Sequence, residues 1–324
     1  MLIISVSVHA RTVNRHTCMI GLPCLGIREL LSAYVLVGER NALFEAGTTN
    51  TAPMLLEGLD RLGISREDID YLIVSHIHLD HAGGAGFLAG ELPSARIMVH
   101  EAGARHLIDP GRLIASTKKV FGEKKVMDLY GEIIPIPAER VVPLRDGDSV
   151  DLGGGRRLKV IHTPGHAPHH LSLYDPLTKG AFSGEALGVW ADDIKVFSPS
   201  TPMPDFNLDH SIGSVLRLLE YDTETIYFSH YGYTDDVQNT IYKIIGQLFC
   251  WGQVVRAGPE ENAGARLSRY VSEKEWAQWD SVRLAGERGR KDLIDWLTWR
   301  TGAVLAPGII NFYRQKQHGR EGEK

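Results

Sequence analysis

Three cysteines in 324 residues leave little room for sulfur chemistry. Cys18, Cys24 and Cys250 cannot all pair, and none stands at the Cys-x-x-Cys spacing of a thiolate zinc site or a redox couple. That argues against a disulfide framework and a thiolate zinc site, and a reduced, cytoplasmic protein is expected. Long apolar runs are missing too. None approaches the roughly 20 residues that span a bilayer, so no membrane partner is expected. The opening MLIISVSVHARTVNRH is apolar for only a few residues and has no charged leader. It reads poorly as a signal peptide and suits a first strand. Excess positive charge is also absent: 35 Lys and Arg stand against 40 Asp and Glu, a net charge of −5. Nucleic-acid binders usually show a basic face, so no nucleic-acid partner is expected. No low-complexity tract or short repeat interrupts the chain. A homo-oligomer is compatible with all of this.

What is present is an alternation of strand and helix patterns. SAYVLVGERNALFEAG reads as two strands around a Gly-Glu-Arg-Asn turn, and TAPMLLEGLDRLGI as a helix ending near Gly63. The apolar run Tyr71 to Val74 has the pattern of a strand buried on both faces. ARIMVH, RLKVIHTPGH, HLSLYD, GAFSGE and TIYFSHYG are further strand candidates. Residues 101–132 are expected to be mostly helical with a break at Asp109-Pro110, and helices are expected at Asp209–Glu220 and Asp235–Gln253. The class is α/β with a mixed sheet. After about Ala257 strands give out, which divides the chain into a site-bearing domain, 1–257, and a helical C-terminal extension packed on it, 258–324. In that extension Ser272 with Glu275 forms a plausible capping box. Trp276, Trp279, Trp296 and Trp299 fall in pairs at helical spacing, the pattern of rings that fill a core.

SHIHLDHAGG, Ser75 to Gly84, concentrates His76, His78, Asp80 and His81. Each His- or acid-bearing segment follows an apolar run: YLIVS leads to His76, RLKVIHTPG to His166, GAFSG to Glu185 and TIYFS to His230. If those runs are neighbouring strands, their ends deliver all of these side chains to one rim, where open α/β sheets place ligands. Alternation in an extended loop puts His76, His78 and Asp80 on related faces, whereas His81 breaks the period. That suits two adjacent metal ions better than one. Imidazole and carboxylate without thiolate suit a catalytic site for zinc, iron or manganese. A lone histidine would be an ordinary surface residue; five at strand ends are not.

HIHLDH resembles the HxHxDH signature of the metallo-β-lactamase superfamily. HTPGHAPHH is similar to its TPGHTPGH motif, FSGEALG to a strand ending in Gly-Asp-Ala, and FSHYG to its final Gly-His-Gly turn. All occur in order between about residues 30 and 235. The resemblance implies a four-layer αββα sandwich and a dinuclear site at one edge, and points toward the glyoxalase II and lactonase-like branch. It assigns His76, His78 and His166 to a first metal, Asp80, His81 and His230 to a second, and Glu185 to both. The cofactors implied are two divalent ions, zinc first, with iron or manganese as alternatives. His170 matches a position that is usually not a ligand, and His169 stands where the motif has Gly. His162 is expected to be structural and Glu45 to support the site from behind the ligands. The departure is Glu185, where the family has Asp.

Two such ions activate water for attack on a carbonyl or phosphoryl centre, with Asp80 as the catalytic proton carrier. The expected function is a hydrolase of a small ester, thioester or lactone. The alternatives are an iron-dependent oxidoreductase of the persulfide dioxygenase type and a phosphodiesterase or nuclease. LGVWADDIKVFSPSTPMPDFNLD, directly after Glu185, either lines a substrate pocket with its aromatics or uses them as anchors.

Overall fold

The computed structural model of the chain describes residues 8–191, 196–275 and 291–321. The chain first lays down β1 (His9–Asn14), β2 (Thr17–Cys24), β3 (Ile27–Leu36), β4 (Asn41–Phe44), β5 (Ile69–Ile73), β6 (Arg96–His100) and β7 (Val141–Leu144). These form a seven-stranded sheet in sequence order. β1 to β4 run antiparallel, and pairing is parallel from β4 to β7. The change of pattern follows the connections: short turns allow hairpins, while helices such as Ala52–Arg61 carry the chain back over the sheet.

β8 (Ser149–Asp151), β9 (Arg157–His162), β10 (Leu171–Asp175), β11 (Gly180–Gly184), β12 (Val189–Ala191), β13 (Val196–Ser198), β14 (Thr225–Phe228) and β15 (Gly232–Thr234) follow. Six of them make a second sheet in the order β15-β14-β11-β10-β9-β8, and β12 and β13 pair separately. Only β11 and β14 pair in parallel within that second sheet, the helix Leu208–Leu218 lying between them in sequence.

A seam of buried side chains joins the sheets face to face. Tyr34, Phe44, Ile73 and Met98 from the first meet Val160, Leu173, Phe182 and Tyr227 from the second. The Tyr34 ring meets Phe182 edge-on at 5.5 Å and Tyr227 at 5.2 Å. A second cluster packs the helices onto the outer faces, which makes the four-layer αββα sandwich. Each fully buried aliphatic or aromatic side chain here contributes about 1.5–3 kcal/mol.

The helices after Ala257 share that cluster: Leu267, Val271, Leu293, Leu297, Leu305 and Ile309 are buried with Trp251 and Phe206. Trp296 is half-buried against the cluster and Trp299 is half-exposed, so the expectation of core-filling tryptophans holds for only one of these two. Trp276 and Trp279 lie outside the described residues. The capping box is not seen either: the Glu275 carboxylate accepts from Trp251 Nε1 at 2.8 Å and Gln247 Nε2 at 3.0 Å. Among the described residues no helix is long and apolar enough to cross a membrane.

Candidate metal centre

The rim expected from the strand ends is present. β5 leads to Ser75 and His76, and the short helix Leu79–Ala82 turns Asp80 and His81 inward. β9 leads to His166, β11 to Glu185 and β14 to His230. Tight backbone is needed at Gly184, where φ is +57° and an added Cβ would lie 2.5 Å from His170 Nε2.

Seven side chains converge in two groups, His76-His78-His166-Glu185 and Asp80-His81-Glu185-His230, each with its candidate ligand atoms within 4.8 Å of one another. In the first, His78 Nδ1 lies 2.9 Å from His76 Nε2 and 3.0 Å from His166 Nε2, and Glu185 Oε2 lies 3.0 Å from His166 Nε2. Tetrahedral ligands at about 2.0–2.1 Å from an ion sit roughly 3.3 Å apart, so these spacings are close to a coordination shell. In the second, His81 Nε2 lies 3.4 Å from Asp80 Oδ2 and 3.3 Å from Glu185 Oε2, and His230 Nε2 lies 3.4 Å from Glu185 Oε1. His81 Nε2 and His230 Nε2 are buried without a hydrogen-bond partner. Two unpartnered imidazole nitrogens facing two carboxylates are what a cation would satisfy, and the donor set fits a divalent ion.

The backs of the imidazoles are tied down. His230 Nδ1 donates to the Leu30 carbonyl at 3.1 Å and His166 Nδ1 to the Ser200 carbonyl at 3.3 Å. Ser75 Oγ donates to Glu45 Oε1 at 2.6 Å, so it accepts from His76 Nδ1 at 2.8 Å. All three histidines are thereby left with an Nε2 lone pair pointing inward. Glu45, buried with φ +73°, gathers Ser75, Ser229 and His81 Nδ1, the last at 3.3 Å. It stands behind the ligand candidates, as the sequence led one to expect. The left-handed backbone costs it about 1–3 kcal/mol, offset by these hydrogen bonds.

Charge in the first group is arranged to match. Burial, then the neighbouring His166, pushes the His78 imidazole down to about 4. Burial and His81 hold His76 well below its ordinary value. Both are neutral near pH 7, the form that ligates. Burial would raise the Asp80 carboxyl, but the imidazoles of His81 and His230 hold it below the usual carboxylate range.

His170 does not reach either group. Its Nε2 accepts the Glu185 backbone N–H at 3.0 Å and its Nδ1 donates to Thr163 Oγ1 at 2.8 Å, so it fastens the turn that carries Glu185. His162 stacks on His100 with ring centroids 4.3 Å apart, away from the groups. His169 is buried with Nδ1 unpartnered. Two contributors were not foreseen: Ser200 Oγ donates to Glu185 Oε1 at 2.7 Å, and Arg300 Nη2 to the same oxygen at 3.1 Å. Nothing in TWRTG marks Arg300 in the sequence, because the contact spans 115 residues.

Of the two readings of the loop after Glu185, anchoring prevails. Trp190 stacks on Phe197 at 4.1 Å, and both are buried with Phe206 in the core. Among the described residues of the loop, only Met203 of the large apolar side chains is strongly exposed, at 53%. The aromatics therefore give no apolar wall to a substrate.

Comparison with known proteins agrees with this geometry. Residues 28–230 match the profile described as the Metallo-beta-lactamase superfamily. The metallo-beta-lactamase fold-containing protein ST1585 of Sulfurisphaera tokodaii is 26% identical over 226 residues, 65% of this chain and 80% of that protein. The ST1585 crystal structure superposes with a TM-score of 0.60 at 24% identity, covering 72% of this chain and 86% of that one. The probable metallo-hydrolase MJ0888 of Methanocaldococcus jannaschii is 30% identical over 142 residues, 44% of this chain and 61% of that protein, so the match spans less than two thirds of its length. Rubredoxin oxygen:oxidoreductase from Desulfovibrio gigas shares the fold, with a TM-score of 0.52 at 16% identity, covering 74% of this chain and 62% of that one.

Proposed function

The chain belongs to the metallo-beta-lactamase superfamily, and on that premise we propose that it is a metal-dependent hydrolase of small esters, thioesters or lactones. The observation that carries the reading is the convergence of two His-carboxylate groups on one shared acid, Glu185, with two buried imidazole nitrogens unpartnered. His76, His78 and His166 would hold one divalent ion, and Asp80, His81 and His230 the other, with Glu185 serving both. Bound there, two ions (zinc first, iron or manganese as alternatives) supply Lewis acidity that polarises a carbonyl oxygen and acidifies water.

The chain's own residues divide the remaining work. Glu185 is buried, whereas the Asp80 side chain is 28% exposed. Asp80 is thus the carboxylate that can take a proton from attacking water and return it to the leaving group. Glu45 and the Ser200 and Leu30 carbonyls fix the imidazoles so that little reorganisation accompanies the reaction. The acidic balance of the chain, −5 overall, supports a small neutral substrate over a polyanion.

The test is a panel of p-nitrophenyl esters, lactones, thioesters and phosphodiesters assayed with and without chelator, beside metal analysis by mass spectrometry. Chelator-sensitive hydrolysis of a carbonyl substrate is expected. Hydrolysis indifferent to chelator, or confined to phosphodiesters, would overturn the reading. The second reading, an iron-dependent oxidoreductase, draws on the fold shared with rubredoxin oxygen:oxidoreductase. Bound iron with no hydrolysis of any panel member would favour it.

A further inference from the structure

The two oxygens of Glu185 have different surroundings. Oε2 points to the junction of the groups, 3.0 Å from His166 Nε2, 3.3 Å from His81 Nε2 and 3.6 Å from His76 Nε2. Oε1 lies 3.4 Å from His230 Nε2 and also takes Ser200 Oγ at 2.7 Å, from the loop after β13, and Arg300 Nη2 at 3.1 Å, from the C-terminal extension. Arg300 Nη2 also donates to Ser200 Oγ at 2.6 Å, which closes a triangle on Oε1. Arg300 is buried, with its guanidinium 5.4 Å from the Trp296 ring centre. Thr201 Oγ1 donates to the Leu305 carbonyl at 2.8 Å, so the segment bearing Ser200 is fastened to the same extension.

We propose that Arg300 and Ser200 are positioning residues that hold Glu185 through Oε1 and set how its carboxylate is presented to the two groups, which makes the C-terminal extension part of the metal centre. The inference rests on the reading of the seven residues as metal ligands. It also accounts for Glu in place of the family's Asp. An aspartate carboxylate would end about 1.5 Å short, too near the backbone to meet the ions and the Arg300-Ser200 pair together. A guanidinium hydrogen-bonded to a ligand oxygen lowers that oxygen's basicity and opposes a second cation. Arg300 thus competes with the metal for the negative charge of Glu185. The sign differs from that of a residue that merely packs the extension in place: removing the positive charge should tighten metal binding.

The experiment titrates Zn²⁺ and, separately, Mn²⁺ into the metal-free full chain against a chelator of known affinity. Wild type, Arg300→Gln, Arg300→Lys and Ser200→Ala are compared, with folding checked by circular dichroism. Arg300→Gln keeps a donor and removes the charge, and about tenfold tighter binding of the weaker-held ion is expected, one decade being about 1.4 kcal/mol. Arg300→Lys should stay within about threefold of wild type, since it keeps the charge. Ser200→Ala changes little volume and should tighten binding by about threefold for a lost neutral hydrogen bond; it decides the matter if Arg300→Gln fails to fold. On a Glu185→Gln background the effect of Arg300→Gln should shrink to less than half. Binding by the variants that is unchanged or weaker overturns the proposal while leaving the metal reading intact. A wild-type chain that takes up neither ion overturns the metal reading itself, and the proposal with it.

Discussion

His170→Ala probes whether the turn carrying Glu185 depends on a residue that is not among the prospective ligands. The substitution removes the acceptor of the Glu185 N–H and the donor to Thr163 Oγ1. Thr163 Oγ1 keeps Ser172 Oγ at 2.9 Å, so one buried group is orphaned outright and one in part. An orphaned buried donor costs about 1–3 kcal/mol, and the void left by the ring adds to that. The expected loss is about 2–4 kcal/mol, or a fall of about 4–8 °C at about 2 °C per kcal/mol for a large domain. Denaturant unfolding of chelator-treated protein isolates this cost from any metal contribution. His170→Gln can accept from the Glu185 N–H and donate to Thr163, and should recover more than half of it. An alanine variant within about 0.5 kcal/mol of wild type, the range of an ordinary surface change, would refute the assignment.

Asp80→Ala should abolish chelator-sensitive hydrolysis while leaving the melting temperature of metal-free protein within a few degrees, because the side chain lies outside the core; near wild-type turnover with both metals bound would show that Asp80 carries no proton. Truncation after Ala257 should aggregate, since it strips the cover from Trp251 and Phe206; a soluble fragment of equal heat stability, judged by light scattering, would contradict this. Glu275→Gln should raise the melting temperature at pH 7. Burial holds the Glu275 carboxyl above its ordinary value, with Trp251 and Gln247 hydrogen bonds only partly offsetting it. The fold therefore prefers the protonated acid, and stability falls as pH rises from the unfolded value of about 4.3 through the higher folded one. The glutamine gain should vanish on acidification to about pH 4, and a gain that is flat across pH would refute the linkage.

The architecture was largely legible because its signals are local. Apolar runs such as Tyr71 to Val74 and turns such as Gly38 to Asn41 declare strands and hairpins within a few residues, and β5, β3 and β4 fall there. The seven prospective ligands were legible because each follows a strand run, so chain order alone placed them at one rim. Arg300 and Ser200 were not, because their meeting with Glu185 is set by how the extension docks, and docking leaves no periodic trace. His170 sat inside a recognisable motif, yet its task depends on which ring nitrogen faces the Glu185 N–H, a matter of three-dimensional orientation. The aromatics after Glu185 were ambiguous for a related reason: Trp190 and Phe197 have the same composition whether they face a ligand or the core.

The two prospective ligand groups draw on both halves of the sandwich. His76, His78, Asp80 and His81 follow a strand of the first sheet, whereas His166, Glu185 and His230 follow strands of the second. Each group takes members from both sides. An ion held by either would act as a clasp across the seam, and two ions as a double clasp at one end of it. Withdrawing them should register first as a parting of the sheets at that end, with amide exchange rising at Ser75, Thr163 and Ser229 before it rises in the outer helices. Metal content and the cohesion of the two sheets would then be one property measured in two ways.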